Sequence, residues 1–105
     1  MAAELGQTGR TAATTLEVRF SRLALADLAR IRAYIGVFNP AAASRMAERL
    51  IAAAAGLSAY PLRGRASSQG RRELTIVPPY ILVYRVSGDR VRILRVWHGA
   101  QERER

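Results

Sequence analysis

The chain has 105 residues, no cysteine, and 17 basic against eight acidic residues, a formal net charge of +9. That length predicts one domain with one modest core, and the lack of Cys excludes disulfides and thiolate metal sites. Every basic residue is Arg, the side chain that forks best onto phosphate or carboxylate. The excess predicts an acidic partner: nucleic acid, an acidic protein segment or anionic lipid.

Residues 1–15 are small and polar and lack a charged start followed by an apolar run, so they do not read as a signal peptide. They are expected to form a disordered leader, with a domain over 16–101 and a charged tail over 102–105. No stretch approaches the roughly 18 apolar residues of a membrane span, and a cytoplasmic location is expected.

Residues 16–20 alternate, with Leu16, Val18 and Phe20 against Glu17 and Arg19, which predicts a half-buried strand. Ser21 then caps a helix running to about residue 37. Ala24, Leu28, Ile31 and Ile35 recur at helical spacing and Leu25 widens the stripe, while Arg22, Asp27, Arg30 and Arg32 are assigned to the wet face. Asn39-Pro40 predicts a second start, with Asn as cap and Pro at the first helical position. This helix is expected to reach about residue 58, its stripe being Ala43, Met46, Ala47, Leu50, Ile51, Ala54 and Leu57. The short connection forces a tight antiparallel hairpin. Tyr60-Pro61 ends it, and residues 61–70 read as a flexible basic loop.

Three strands follow, at 71–76, 80–86 and 91–97. Pro78-Pro79 must lie between strands or on an edge, because proline cannot donate to a ladder. Gly88-Asp89 supplies a hairpin turn, with Gly giving positive φ without strain. A meander of this size needs an apolar cover. The order strand, helix, helix, strand, strand, strand therefore predicts an α+β fold, a small antiparallel-rich sheet packed against a helical hairpin.

These segments carry a resemblance. Residues 17–21 (Glu-Val-Arg-Phe-Ser), 26–35 around Asp27-Leu28, 39–43 (Asn-Pro-Ala-Ala-Ala) and 57–65 around Tyr60-Pro61-Leu62 are similar in order and spacing to RelE/ParE-type toxins. Arg72-Glu73-Leu74, residues 80–86 and residues 91–100 continue the match, which spans 16–101. The resemblance implies the toxin of a bacterial type II toxin–antitoxin module, silenced by an antitoxin encoded nearby. RelE-like members cut messenger RNA on the ribosome; ParE-like members poison DNA gyrase.

RNA cleavage requires an activated 2′-hydroxyl, a proton for the leaving oxygen, and cations against the phosphate. Arg71, Arg72, Arg85, Arg92 and Arg95 supply cations, and His98 is the one imidazole. By resemblance His98 falls where some ribonuclease members carry a catalytic His, although a His beside Trp97 also suits a structural role. Ile81 stands where those ribonucleases place an essential Arg, and residues 99–101 lack the aromatic hydroxyl of several nucleases. The ParE-like reading is therefore favoured. A RelE-like ribonuclease and a degenerate member that only binds antitoxin are the alternatives.

Arg71, Arg72, Arg85, Arg92, Arg95 and Trp97 are the candidate antitoxin- or target-contacting residues, with Arg85 foremost. Glu73 is expected to pair with an Arg of a neighbouring strand. Tyr34, Tyr80 and Tyr84 are expected in the core with their hydroxyls at its rim. Gly64, Gly70 and Gly99 lack the strand–loop–helix context of a phosphate cradle, and one His without Cys makes no usual metal set. No cofactor is expected.

Overall fold

The structure, a computed structural model, describes residues 15–99. The leader expected over 1–15 lies outside that range except for Thr15, as does the tail over 102–105. In chain order the elements are β1 (Glu17–Phe20), α1 (Arg22–Phe38), α2 (Pro40–Gly56), β2 (Arg65–Ala66), a 3-10 turn (Ser68–Gly70), β3 (Arg72–Val77), β4 (Tyr80–Ser87) and β5 (Arg90–His98). The sheet runs β1-β5-β4-β3-β2. Only the β1–β5 pair is parallel; the other three are antiparallel. The α+β class and the helical hairpin are as predicted.

Local signals explain where the helices begin. The Ser21 hydroxyl accepts the Ala24 amide at 3.0 Å and donates to the Leu94 carbonyl at 2.9 Å, so the cap also ties α1 to β5. Asn39 is at once the last residue of one helix's cap and the first of the next. Its backbone N–H reaches the Ile35 carbonyl, and its side chain accepts the Ala42 amide at 3.0 Å. A cap of this kind contributes about 1 kcal/mol. With one linking residue, the hairpin is tighter than the sequence suggested.

The hairpin covers one face of the sheet. Ala24, Leu28, Ala47, Leu50, Ala54 and Leu57 pack onto Leu74, Leu82, Tyr84, Val91, Ile93 and Val96. Small alanines let the helices approach the strands and each other, and each large buried aliphatic contributes about 1.5–3 kcal/mol. A second, smaller cluster of Ile81, Val83 and Trp97 lies on the alternate positions of β4 and β5. The turn after β4 places Gly88 alone at positive φ (62°), as a two-residue hairpin with Gly first requires. Pro78-Pro79, joined by a cis bond, separates β3 from β4 as expected.

Several expectations need correction. Asp27, assigned to the wet face, is 1% exposed, while Leu25 and Ile51, assigned to apolar stripes, are largely exposed. Polarity misplaced all three: position along the helix decides burial, and Asp27 lies at the stripe's edge where β5 can satisfy it. Tyr34 is 67% exposed rather than in the core. Tyr84 is fully buried, and its hydroxyl lies inside rather than at the rim, accepting the Gly64 amide at 2.8 Å and donating to the Pro61 carbonyl at 2.7 Å. The 61–70 stretch is no plain loop: β2 extends the sheet to five strands, and the 3-10 turn leads into β3.

Candidate functional site

Two surfaces differ sharply in chemistry. The first is the sheet face turned from the hairpin. On β1, Val18 and Phe20 pack toward the core while Arg19 alternates away. On β5, Val91 and Ile93 face the core, leaving Arg92 outside; on β4, Tyr84 and Val86 do the same for Arg85. The ladders place these residues side by side, Arg19 opposite Arg92 and Arg92 opposite Arg85. Three arginines thus stand in one row across three strands.

Their partners differ. Arg19 pairs with Glu17, which Arg90 also approaches at 3.5 Å. The Arg19 hydrogen bond and charge, with help from Arg90, hold the Glu17 carboxyl below its usual range. Arg85 donates from Nη2 to the Gln69 carbonyl at 2.8 Å, a neutral partner that leaves its charge uncompensated. The Arg92 side chain makes no hydrogen bond or ion pair with the described residues. Beside it Arg85, Ser87, Asp89, Arg90 and Arg92 line a depression of ≈ 430 Å³.

The remaining predicted cations are engaged elsewhere. Arg72 lies on the hairpin side, donating from Nη1 to the Gly64 carbonyl at 2.7 Å. Arg71 rests against the Ser68 carbonyl at 3.4 Å. Arg95 holds buried Asp27 through two nitrogens, at 2.8 and 3.0 Å. Glu73 pairs with Arg65 of β2 at 3.3 Å, the neighbouring-strand partner expected for it, and also accepts from the Ser67 hydroxyl at 3.2 Å. Trp97 is buried with Ile81 and Val83, so its ring is not offered to a partner. His98 packs edge-on against Tyr80, ring centroids 5.7 Å apart. Ile81, standing where an essential Arg would be in a ribonuclease, is itself buried.

The second surface is the tip of the hairpin. Tyr34, Val37 and Phe38 project from the last turns of α1, with Val37 and Phe38 78% and 76% exposed. Tyr34 and Phe38 meet edge-on at 5.8 Å, the i,i+4 contact of a helix surface. Alongside, Ala29, Arg32, Ala33, Gly36, Pro40, Ala43 and Ser44 line a shallow groove between α1 and α2. Large exposed apolar side chains rimmed by Arg mark an interaction surface. Sequence reasoning overlooked this tip, although Val37-Phe38 falling outside the buried stripe was the available signal. It also overlooked Arg19: alternation puts it on the outer face, and the parallel pairing of β1 with β5 brings it beside Arg92.

The helical hairpin on a five-stranded mixed sheet is the fold of ParE/RelE-type toxins of type II toxin–antitoxin systems. The family model for the ParE toxin of the type II parDE system matches residues 18–103, and the chain belongs to this family of ParE/RelE-type toxins. The RelE2 toxin of Caulobacter vibrioides is 53% identical over 78 residues, covering 74% of this chain and 89% of that protein. Among solved structures, the chromosomal ParDE system of P. aeruginosa superposes with a TM-score of 0.73 at 28% identity, covering 81% of this chain and 97% of the other. The RelBE2 toxin–antitoxin complex of Mycobacterium tuberculosis gives 0.62 at 29% identity, covering 81% and 92%. Relatives thus carry both RelE and ParE names. An antitoxin is the partner this family implies, and among the described residues no helix is long and apolar enough to cross a membrane.

Proposed function

We propose that residues 16–101 form a ParE-like toxin that arrests growth by binding DNA gyrase in the cytoplasm, and that a cognate antitoxin silences it. The observation that carries this reading is the state of the sheet residues a nuclease would need. Ile81 is apolar and buried, Arg95 and Arg72 are held by the protein itself, and His98 is packed on Tyr80. A nuclease needs cations converging on one phosphate with a proton donor in reach. The described residues offer the arginines in a row instead.

The antitoxin is proposed to dock an acidic amphipathic segment on the hairpin, seating apolar side chains over Tyr34, Val37 and Phe38. Apolar anchors with a basic rim fit such a segment by burial and charge together. Co-expression with the neighbouring reading frame and pull-down tests it. Recovery of a stable pair that restores growth supports the reading; a free, inert protein that ignores its neighbour overturns it.

A ribosome-dependent ribonuclease is the second reading, favoured by the RelE name of the Caulobacter relative. A degenerate toxin that only binds antitoxin is the third, and it predicts no growth arrest when the chain is expressed alone.

A further inference from the structure

Like charges directly opposite on neighbouring strands destabilise a sheet. Here the like-charge contact occurs twice in one row, at Arg19–Arg92 and Arg92–Arg85. Glu17 offsets one end, through Arg19 and Arg90. Among the described residues no side-chain hydrogen bond or ion pair engages Arg92, and Arg85 meets only a carbonyl. Counting the depression and the adjoining β1 residues together, four arginines (Arg19, Arg85, Arg90, Arg92) face two carboxylates, Glu17 and Asp89. An anion laid along the row relieves this repulsion.

The lining decides which anion. Arg85, Ser87, Asp89, Arg90 and Arg92 present no apolar side chain. An acidic protein segment draws its affinity from apolar anchors, which the hairpin tip offers and this lining does not: Ile81, Val83 and Trp97, on the same sheet face, are buried. A phosphate backbone needs only charge and hydrogen bonds, and Arg matches it as a fork. Adjacent strands are about 4.8 Å apart, so the row spans about 10 Å, the reach of two or three consecutive phosphates. The lining holds no aromatic ring, and single-stranded nucleic acid is gripped by stacking on such rings.

We infer that the Arg19–Arg92–Arg85 row is a binding site for the phosphate backbone of double-stranded DNA, read by charge and without regard to sequence. It lies on the sheet face opposite the hairpin, apart from the surface assigned to the antitoxin. It does not depend on which target the toxin poisons.

The test is fluorescence anisotropy of the full chain with a labelled random-sequence duplex of about 20 base pairs, between about 50 and 200 mM salt. Two double variants remove equal charge: Arg85→Ala with Arg92→Ala in the row, and Arg45→Ala with Arg49→Ala on exposed positions of α2. The row variant is expected to lose about tenfold or more at low salt, with the log–log salt slope shallower by about two, since each backbone contact contributes about 0.9. The α2 variant is expected to lose less than about threefold by weaker general attraction. Arg19→Ala with Arg92→Ala should repeat the row result, and melting curves confirm that each variant is folded. Equal losses in row and α2 variants would show net charge alone at work and overturn the site. So would tighter binding of single-stranded RNA of the same length, or a row variant that loses affinity for a polyglutamate peptide while keeping the duplex. Antitoxin pull-down is scored separately, so failure here leaves the toxin reading standing.

Discussion

Arg95 holds Asp27 in a two-nitrogen grip, Nε to Oδ2 at 2.8 Å and Nη2 to Oδ1 at 3.0 Å, while the Val96 amide donates to the same Oδ2 at 2.9 Å. Arg30 bonds the carboxylate from its own helix. Strand β1 pairs with β5 only as far as Ile93. Beyond that point α1 takes over the edge: the Ser21 amide and hydroxyl reach the Ile93 and Leu94 carbonyls, and Asp27 meets Val96. A helix side chain thus satisfies a strand amide that has lost its neighbouring strand. This edge contact ties α1 to β5.

Replacing Asp27 with Ala leaves Arg95 and the Val96 amide without their acceptor. The expected cost is about 1–3 kcal/mol, because the buried Val96 amide is left unsatisfied while Arg95, 31% exposed, can still reach water. Urea denaturation of wild type and Asp27→Ala measures it. A loss under about 0.5 kcal/mol would show that the grip is incidental.

The same carboxylate gives the fold an acid limit. Burial pushes the Asp27 pKa up, but hydrogen bonds from Arg95, Val96 and Arg30, with the Arg95 charge, more than offset this and hold it below the usual carboxylate range. A group with a depressed folded pKa contributes its full stability above its unfolded value and loses it as pH falls through the folded one. Wild type should therefore lose stability below about pH 4, and Asp27→Asn should show a flatter acid limb from a lower plateau. Parallel limbs in melting curves from pH 7 to pH 3 would contradict this.

Gly64 is closed to any side chain. A Cβ there would stand 2.8 Å from both the Glu73 carbonyl oxygen and the Tyr84 hydroxyl. Gly64→Ala is expected to cost about 1–3 kcal/mol, since backbone and a buried ring both resist moving. Tyr84→Phe leaves the buried Gly64 amide and the Pro61 carbonyl without the hydroxyl between them, at about 1–3 kcal/mol. The two changes act on one contact, so their effects should not add. A double variant as unstable as the sum of the singles would show the loop is held elsewhere.

The arginine row implies a trade of stability for binding. Arg92→Thr removes both like-charge contacts and places a β-branched residue on a strand, so stability should rise by about 0.2–1 kcal/mol. For a domain of this size that is a rise in Tm of about one to several degrees, larger at low salt. A lower Tm would mean that Arg92 is stabilised by the native fold and not strained by its neighbours.

Much of this was legible in the chain. Asn39-Pro40, Ser21 and Gly88-Asp89 each act through local chemistry, so a single sequence carries them, and they placed both helix starts and the hairpin turn where they occur. Alternation in β1, β4 and β5 put Arg19, Arg85 and Arg92 on the outer face. What escaped were contacts across about 70 residues. Asp27 looks like a surface residue until β5 arrives with an unpaired amide and Arg95, and Arg95 looks like a free cation until Asp27 arrives. Strand β2 is two residues long, too short for any period to show. The exposed tip escaped because Tyr34, Val37 and Phe38 satisfy the composition of a core without facing one.

The central claim, a toxin that acts by binding and not by cutting RNA, meets its most direct test in a gyrase supercoiling assay with purified wild-type and His98→Ala proteins. Both are expected to inhibit supercoiling with similar potency, within about threefold, because no proton transfer is asked of His98; removing a true general acid or base costs roughly 100- to 10,000-fold. Gyrase left untouched by wild-type protein that cuts ribosome-bound messenger RNA, with that cutting lost in His98→Ala, would contradict the account.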